Sequence, residues 1–254
     1  LVIYKMDFAL RFLLFSILVI ASSIYSQNAT EIVRKSNDNL NGLTSQSVSK
    51  MTIVRPDWTR EVEMKTWSKG TEYYLIYITS PARDVGQVFL KRDMELWNWM
   101  PSIGRMIKLP PSMMMQSWMG SDFTNDDLLR QSSVVTDYTH KIIGTEKIEG
   151  HDCWIIEFRP KPDAPVVWGK INMHISKEHY LQLKVEFFDE EDELVSTMAG
   201  SNIRDVGDRV IPAKLVMTPA DKPDNKTIFE YSEIKFDMPI STDYFSKQNM
   251  KRVK

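Results

Sequence analysis

The chain has 254 residues, a formal net charge of −2, 43% hydrophobic residues and 26% charged residues. This length can bury a substantial apolar core in one large domain or two small ones, and the composition is that of a globular protein. Nucleic-acid-binding proteins usually present a basic face. The Lys and Arg residues here are spread along the chain, so we expect no nucleic-acid partner.

Residues 1–26 have the pattern of a secretory signal peptide. Lys5 and Arg11 precede an uncharged apolar run at 12–25, and small residues close the region. The run is shorter than the ~20 apolar residues that span a bilayer. We therefore expect cleavage near residue 26 and a single mature domain at 27–254. The alternative is an uncleaved N-terminal anchor.

Cys153 is the only cysteine of the chain. An intrachain disulfide is therefore excluded, and stability must come from packing. The residue lies in the apolar segment CWIIEF, where a small buried side chain is expected rather than a nucleophile. Because the predicted cleavage region contains no cysteine, it offers no attachment point for a bacterial lipid anchor. We expect a soluble exported protein.

A helix is predicted over residues 28–41. Asn28 and Glu31 resemble a capping box, and Gly42 supplies a stop signal. Residues at helical spacing share one face: Ala29, Ile32, Val33, Ser36 and Leu40. This mostly apolar stripe must pack against another part of the molecule.

Beyond Gly42 the hydrophobic pattern has period two, which is typical of strands with two unlike faces. We predict about ten or eleven short strands, beginning with REVEMKTW (60–67) and ending with KTIFEYSEIKF (226–236). A helical insertion interrupts them, where Thr124 or Asn125 caps a short helix. This pattern predicts one antiparallel barrel or strongly curved sheet, with the 28–41 helix against its concave face. The residues alone leave open whether the sheet closes.

No catalytic, metal or phosphate-binding motif is recognisable. His174 and His179 belong to no H-E-x-x-H sequence and are expected to be exposed polar residues. The acidic run DEEDE (189–193) lacks the glycine and spacing of a calcium loop and predicts a solvated turn. We expect no enzymatic activity, no metal and no cofactor.

The stretch from Met94 to Phe123 has an unusual composition. It holds seven of the fifteen Met residues and three of the seven Trp residues, and its Pro and Gly residues exclude one continuous helix. Thioether side chains fit irregular or changing apolar surfaces. Two interpretations remain open, a ligand cavity and a closed core. The candidate cavity-wall residues are Trp97, Trp99 and Met100. The candidate lid residues are Met113, Met114, Met115, Trp118, Met119 and Phe123.

From about Ala29 to Lys254 the chain resembles the LolA/LolB-like superfamily of outer-membrane lipoprotein-sorting proteins, and within it a LolA-like subfamily of uncharacterised exported proteins. The segments that carry this resemblance are VRP (54–56), SPARDVGQVFLKRDMELWNWMPSIGRMIKLP (80–110), MMQSWMGSDFTNDDL (114–128), PKPDAPVVWGKINMHI (160–175) and SEIKFDMPI (232–240). The match to the LolA carrier itself is weaker and rests on the Arg-Pro and on the charged turn before an aromatic strand.

The resemblance implies an α+β, mostly β fold: a strongly curved antiparallel half-open barrel with helices that plug its concave face. It also implies a monomeric carrier in the periplasm of a Gram-negative bacterium. The apolar cavity of such a carrier receives lipid or lipoprotein acyl chains, between an inner-membrane transporter and an outer-membrane acceptor. Lipoproteins and other lipids both remain open as cargo. The alternatives are an RseB-like envelope sensor and a structural envelope protein with a closed core.

In the LolA carrier an arginine of the barrel bonds to the lid helices in the free state. Arg55, Arg60 and Arg83 are the candidates here. We rank Arg83 first, because it lies in the SPARDVG turn.

Overall fold

A computed structural model of the protein describes residues 29–93, 95–129, 133–164 and 166–254. The predicted signal peptide at 1–26, the Asn28 cap and Met94 lie outside the described residues. Within those residues, no helix combines the length and the apolar character needed to cross a membrane.

Thirteen strands, three α-helices and five short 3-10 helices form the described structure. The α-helices are α1 (29–41), α2 (Asn125–Leu129) and α3 (Ser133–Thr136). The strands are β1 (Thr44–Arg55), β2 (Trp58–Lys69), β3 (Tyr73–Ser80), β4 (Val88–Arg92), β5 (Glu95–Met100), β6 (Arg105–Leu109), β7 (Tyr138–Ile148), β8 (His151–Pro160), β9 (Lys170–Ser176), β10 (Gln182–Phe188), β11 (Leu194–Asp205), β12 (Val210–Pro219) and β13 (Lys226–Phe236).

All thirteen strands belong to one antiparallel sheet, in the order β6-β5-β4-β3-β2-β1-β13-β12-β11-β10-β9-β8-β7. The prediction of a curved antiparallel half-barrel is confirmed. The strand number exceeds the predicted ten or eleven, and β1 was not among the predicted strands. Its inward positions begin with Ser45, Ser47 and Ser49 rather than with apolar residues, so the hydrophobic alternation is missing from its first half.

The two faces of the sheet bury different clusters. On β3, Ile76 and Ile78 join an inner cluster that also contains residues of α1, whereas Leu75 and Tyr77, which alternate with them, join an outer cluster. The inner cluster draws residues from both halves of the sheet, including Met51 of β1 and Phe158 of β8. The sheet therefore curves around its inner face, and the predicted position of the first helix on that face is correct.

The outer cluster is formed by the C-terminal segment on β2 to β5. Phe245 and Met250, which are fully buried, pack there with Trp67. Trp97 and Trp99 of β5 also lie on this side, where Lys247 Nζ is 3.5 Å from the centroid of the Trp97 ring. The C-terminal segment thus covers the outer surface of the barrel.

Two residues on the outer side of the other half of the sheet test the sequence-based expectations. Cys153 is fully buried with Leu181 and Leu183, as predicted. The prediction of an exposed His174 is wrong. Its side chain is 4% exposed, with Nδ1 3.0 Å from a Glu146 carboxylate oxygen, and burial lowers its pKa.

The C-terminal segment should contribute strongly to stability. Replacing a buried Phe by Ala typically costs about 3–5 kcal/mol, so we expect Phe245→Ala to lower the free energy of unfolding by about 3 kcal/mol or more in urea titrations. The control is Leu194→Ala, because Leu194 is 41% exposed. This variant should change the free energy of unfolding by no more than about 0.5 kcal/mol. Equal effects of the two variants would contradict this packing.

Candidate functional site: an interior cavity and its lid

Helix α1 crosses the concave face and is held at both ends. Ala29, Ile32 and Val33 are 0–3% exposed against the sheet. Near its start, the Thr30 hydroxyl lies 3.0 Å from Nδ1 of His140 on β7. Near its end, the Asn39 amide donates to the Val210 carbonyl at 2.9 Å. These polar contacts fix the two ends of a helix whose first turns pack through apolar residues.

His140 connects α1, α3 and β7. Its Nε2 lies 2.8 Å from the Val134 carbonyl oxygen, which can only accept, so Nε2 carries the proton and Nδ1 accepts from Thr30 in the neutral ring. Burial lowers the pKa of His140, which favours this neutral form.

The segment 110–124, here called the lid loop, leads from the edge strand β6 to α2. Trp118 is 1% exposed, and its ring centroid lies 5.3 Å from that of Phe89 on β4. Phe123 packs edge-on against Phe229 of β13 at 6.4 Å. The loop is thus anchored by two aromatic side chains that point into the inner cluster.

Arg55, at the end of β1, clasps the lid loop. Its guanidinium bonds both carboxylate oxygens of Asp122 at 3.0 Å and the Gly120 carbonyl at 3.1 Å. The Thr227 hydroxyl donates to the same carboxylate at 2.7 Å. Gly120 and Met119 both have positive φ, 80° and 52°, and this left-handed turn suits glycine at position 120.

Arg60 of β2 makes a second clasp. It donates to the Met119 carbonyl at 3.1 Å and to Asp84 at 2.7 Å. Arg83, the first-ranked candidate from sequence, is 65% exposed at its side chain and bonds to Asp84. The contacts to the lid loop are therefore made by Arg55 and Arg60. Arg55 is the last residue of β1 and Arg60 lies near the start of β2, so both flank the turn that joins these strands.

Helix α2 begins with a reciprocal cap. The Thr124 amide donates to Asp127 Oδ2 at 2.8 Å, and the Asp127 amide donates to the Thr124 hydroxyl at 3.1 Å. The predicted cap is thus Thr124. The second carboxylate oxygen of Asp127 accepts from the Trp168 indole at 3.3 Å. Burial raises the pKa of Asp127, which favours its uncharged form.

A cavity of about 110 Å³ lies between the helices and the inner face of the sheet, lined mainly from β9 to β13 and also by Tyr74 of β3 and Tyr138 of β7. Its apolar lining includes Phe123, Trp168, Val185, Phe187, Met217 and Phe229, and its polar lining includes Asn37, Tyr74, Asp127, Gln182 and Tyr231. A dry cavity of roughly 150 Å³ holds a molecule of benzene size, whereas sites for larger ligands usually measure about 300–1,000 Å³. The cavity as it stands accommodates only a small part of a lipid.

The candidate residues from sequence fall into three groups. Trp97 and Trp99 lie in the outer cluster, on the face opposite Leu96, and Met100 is half-buried at the end of β5. In the lid loop, Met114, Trp118 and Phe123 are buried in the inner cluster, Met113 and Met119 pack partly against it, and Met115 is exposed. Of these residues Phe123 lines the cavity itself.

Sequence analysis missed most of the cavity lining. Tyr74 lies on a predicted strand that is apolar on both faces and Tyr231 lies on the last predicted strand, and the inward direction of their side chains depends on tertiary curvature. Trp168 in the VVWGK segment also lines the cavity, and a Trp next to a Gly is a sequence signal that could have identified it. The neighbouring Gly169 permits a close approach of chains, since a Cβ there would lie 2.3 Å from the Asp189 carbonyl oxygen.

A protein-family model described as "Uncharacterized protein" matches residues 70–252. The chain belongs to this family. The matched residues include the lid loop and most of the cavity lining. No curated protein matches the chain.

Three solved structures of this family's fold are similar over almost their whole length. A DUF1329 family protein from Desulfovibrio piger has a TM-score of 0.82 at 22% identity, covering 89% of this chain and 99% of that one. A putative outer membrane lipoprotein-sorting protein domain from Vibrio parahaemolyticus has a TM-score of 0.80 at 22% identity, covering 89% and 100%. A LolA superfamily protein from Nitrosomonas europaea has a TM-score of 0.74 at 23% identity, covering 87% and 98%. The fold is therefore that of the LolA-like half-barrel.

The Arg55 clasp should control opening of the lid loop. Hydrogen bonds that involve a charged group contribute about 2 kcal/mol, so Arg55→Gln should speed hydrogen exchange at the Trp118 and Ser121 amides by about thirtyfold. Both amides are hydrogen-bonded within the loop. The matched variant Arg83→Gln should leave exchange unchanged. Similar acceleration in both variants would contradict the assignment.

Proposed function

We propose that this protein is a non-enzymatic carrier. Its interior would bind acyl chains of lipoproteins or other lipids and carry them towards the outer membrane. The observation that supports this most is the arrangement of the inner face, an apolar surface covered by separate helices and a loop rather than closed by sheet pairing.

The apolar lining supplies the driving force for such binding. Each CH₂ group removed from water contributes ~0.8 kcal/mol. The inner cluster contains apolar residues from both halves of the sheet, so displaced helices would expose a long continuous surface for a chain.

Binding requires this cover to move, because a volume of about 110 Å³ is too small for an acyl chain. The lid loop is suited to such movement. Its Met113, Met114 and Met119 pack on the inner cluster, and flexible thioethers can repack around a guest. The polar clasps at Arg55 and Arg60 define the closed position and can be broken without unfolding the sheet.

The cellular role follows from the similarity of fold together with the predicted signal peptide. We propose a periplasmic location, function as a monomer, and exchange of cargo with an inner-membrane transporter and an outer-membrane acceptor. The similarity of fold to the putative outer membrane lipoprotein-sorting protein domain from Vibrio parahaemolyticus supports this role.

The test is binding of a fluorescent long-chain acyl probe to the purified protein, combined with native mass spectrometry of protein isolated from the periplasm. We expect saturable binding of the probe and co-purified lipid. Val185 is 1% exposed and lines the cavity, so Val185→Phe should fill space and weaken probe binding at least about tenfold.

The matched control is Val195→Phe, at a residue that is 38% exposed, and it should bind the probe normally. Thermal unfolding of each variant verifies that it is folded. Absence of both co-purified lipid and saturable probe binding would reject the carrier function and support a closed structural core.

A further inference from the structure

One end of the inner face is lined by hydroxyl groups instead of apolar side chains. On β1 the inward positions before Met51 are Ser45, Ser47 and Ser49, and Ser47 pairs across the sheet with Thr66 of β2. Ser45 Oγ and Ser68 Oγ lie 2.7 Å apart. Core strands normally place apolar residues at such positions. This region is called the hydroxyl-lined end and consists of Ser45, Ser47, Ser49, Thr66 and Ser68. It differs from an ordinary apolar core, which suggests a functional reason for its hydroxyl groups.

Two tyrosines connect the hydroxyl-lined end to the cavity. Tyr74 is the cross-strand neighbour of Ser68, and Tyr231 is the cross-strand neighbour of Ser49. Both tyrosines line the cavity. Burial raises the pKa of Tyr231 to about 12 and also raises the pKa of Tyr74. Both phenols thus stay protonated and are available as donors inside the barrel.

Two buried hydroxyls, one at this end and one on helix α1, have no hydrogen-bond partner among the described residues. Ser36 on α1 and Ser49 on β1 are each 1% exposed, and neither Oγ has a hydrogen-bond partner in the part of the chain that the structure describes. A buried hydroxyl without a partner costs about 1–3 kcal/mol, and native proteins keep few of them. Tyr74 and Tyr231 line the cavity, so a polar group that enters it meets their phenols first, with Ser49 directly across the sheet from Tyr231.

The charge around the cavity limits what that polar group can be. Among the residues that the structure describes, the lining includes Asp126 and Asp127 and no Lys, Arg or His. A phosphate or carboxylate would find no cation among these described residues. An uncharged oxygen, in contrast, can accept from the phenols without the cost of burying a charge.

We propose that the cavity selects lipids by an uncharged oxygen function, a hydroxyl or an ester carbonyl, that inserts towards Tyr74 and Tyr231. The hydrocarbon part then lies along the apolar lining near Phe229 and the lid loop. This inference rests on the proposed carrier function and specifies its cargo as a neutral lipid alcohol or ester whose polar end is bound inside the barrel.

The test compares probes of one chain length, namely dodecan-1-ol, methyl dodecanoate and sodium dodecanoate, as competitors of the fluorescent acyl probe at pH 7.5. We expect the alcohol or the ester to bind at least about tenfold more tightly than the carboxylate. Preference for the alcohol over the ester would identify a hydroxyl as the recognised group, and the reverse preference would identify a carbonyl.

Phenylalanine variants of the two tyrosines test whether their phenols cause the preference for neutral probes. Tyr74→Phe and Tyr231→Phe should each weaken binding of the preferred neutral probe by about threefold to tenfold, the effect of one hydrogen bond, and leave dodecanoate binding unchanged. Tyr77→Phe is the matched control, because Tyr77 packs in the outer cluster on the same strand as Tyr74.

The outcomes separate the two proposals. If no probe binds, the carrier function and this inference both fail. If dodecanoate binds as tightly as the neutral probes, or if both Phe variants behave like Tyr77→Phe, the inference is overturned while the carrier function stands.

Discussion

An open, strongly curved sheet has an apolar concave face that its own strands cannot cover. Strands β6 and β7 are the two ends of the strand order, although they follow one another along the chain. The segment between them must therefore cross the open side, and this geometric requirement explains why the Met-rich lid loop and α2 lie there. Helix α1 covers the rest of the face. The concave surface stays dry only while these separate pieces remain in place.

The cover is held by two kinds of interaction with different consequences. Trp118 and Phe123 bury large apolar areas, which favours closure without specifying one geometry. The bidentate bond between Arg55 and Asp122 does specify geometry, since a planar guanidinium accepts few orientations of a carboxylate. A guest that occupies the apolar surface can compensate for the first kind of contact but not for the second. The clasp is accordingly the part of the lid that sets the closed state.

Local sequence patterns predicted most of the strands. They did not predict which side chains face the concave side of the sheet, and this made the site prediction incomplete. Alternation identified the strands from β2 onward and placed Trp97 opposite Leu96, yet it did not say which face would be concave. Strand β1 escaped detection because serine occupies its inward positions, and those serines now form the hydroxyl-lined end. Arg83 ranked above Arg55 from its turn sequence alone. The clasp depends on contacts between β1 and a loop 67 residues away, which no local pattern encodes.

The central claim is that cargo reaches the interior only when the lid loop separates from the sheet. The Thr227 hydroxyl donates to the Asp122 carboxylate at 2.7 Å and accepts from the Asp122 backbone amide at 2.9 Å across this boundary, so we expect the double variant Asp122→Cys with Thr227→Cys to bring two thiols close enough for a disulfide that locks the loop. Cys153 is fully buried elsewhere and should not interfere. Binding of the acyl probe should be at least about tenfold weaker in the oxidised double variant and should recover on reduction of the same sample. Equal binding in the oxidised and reduced states would contradict the account.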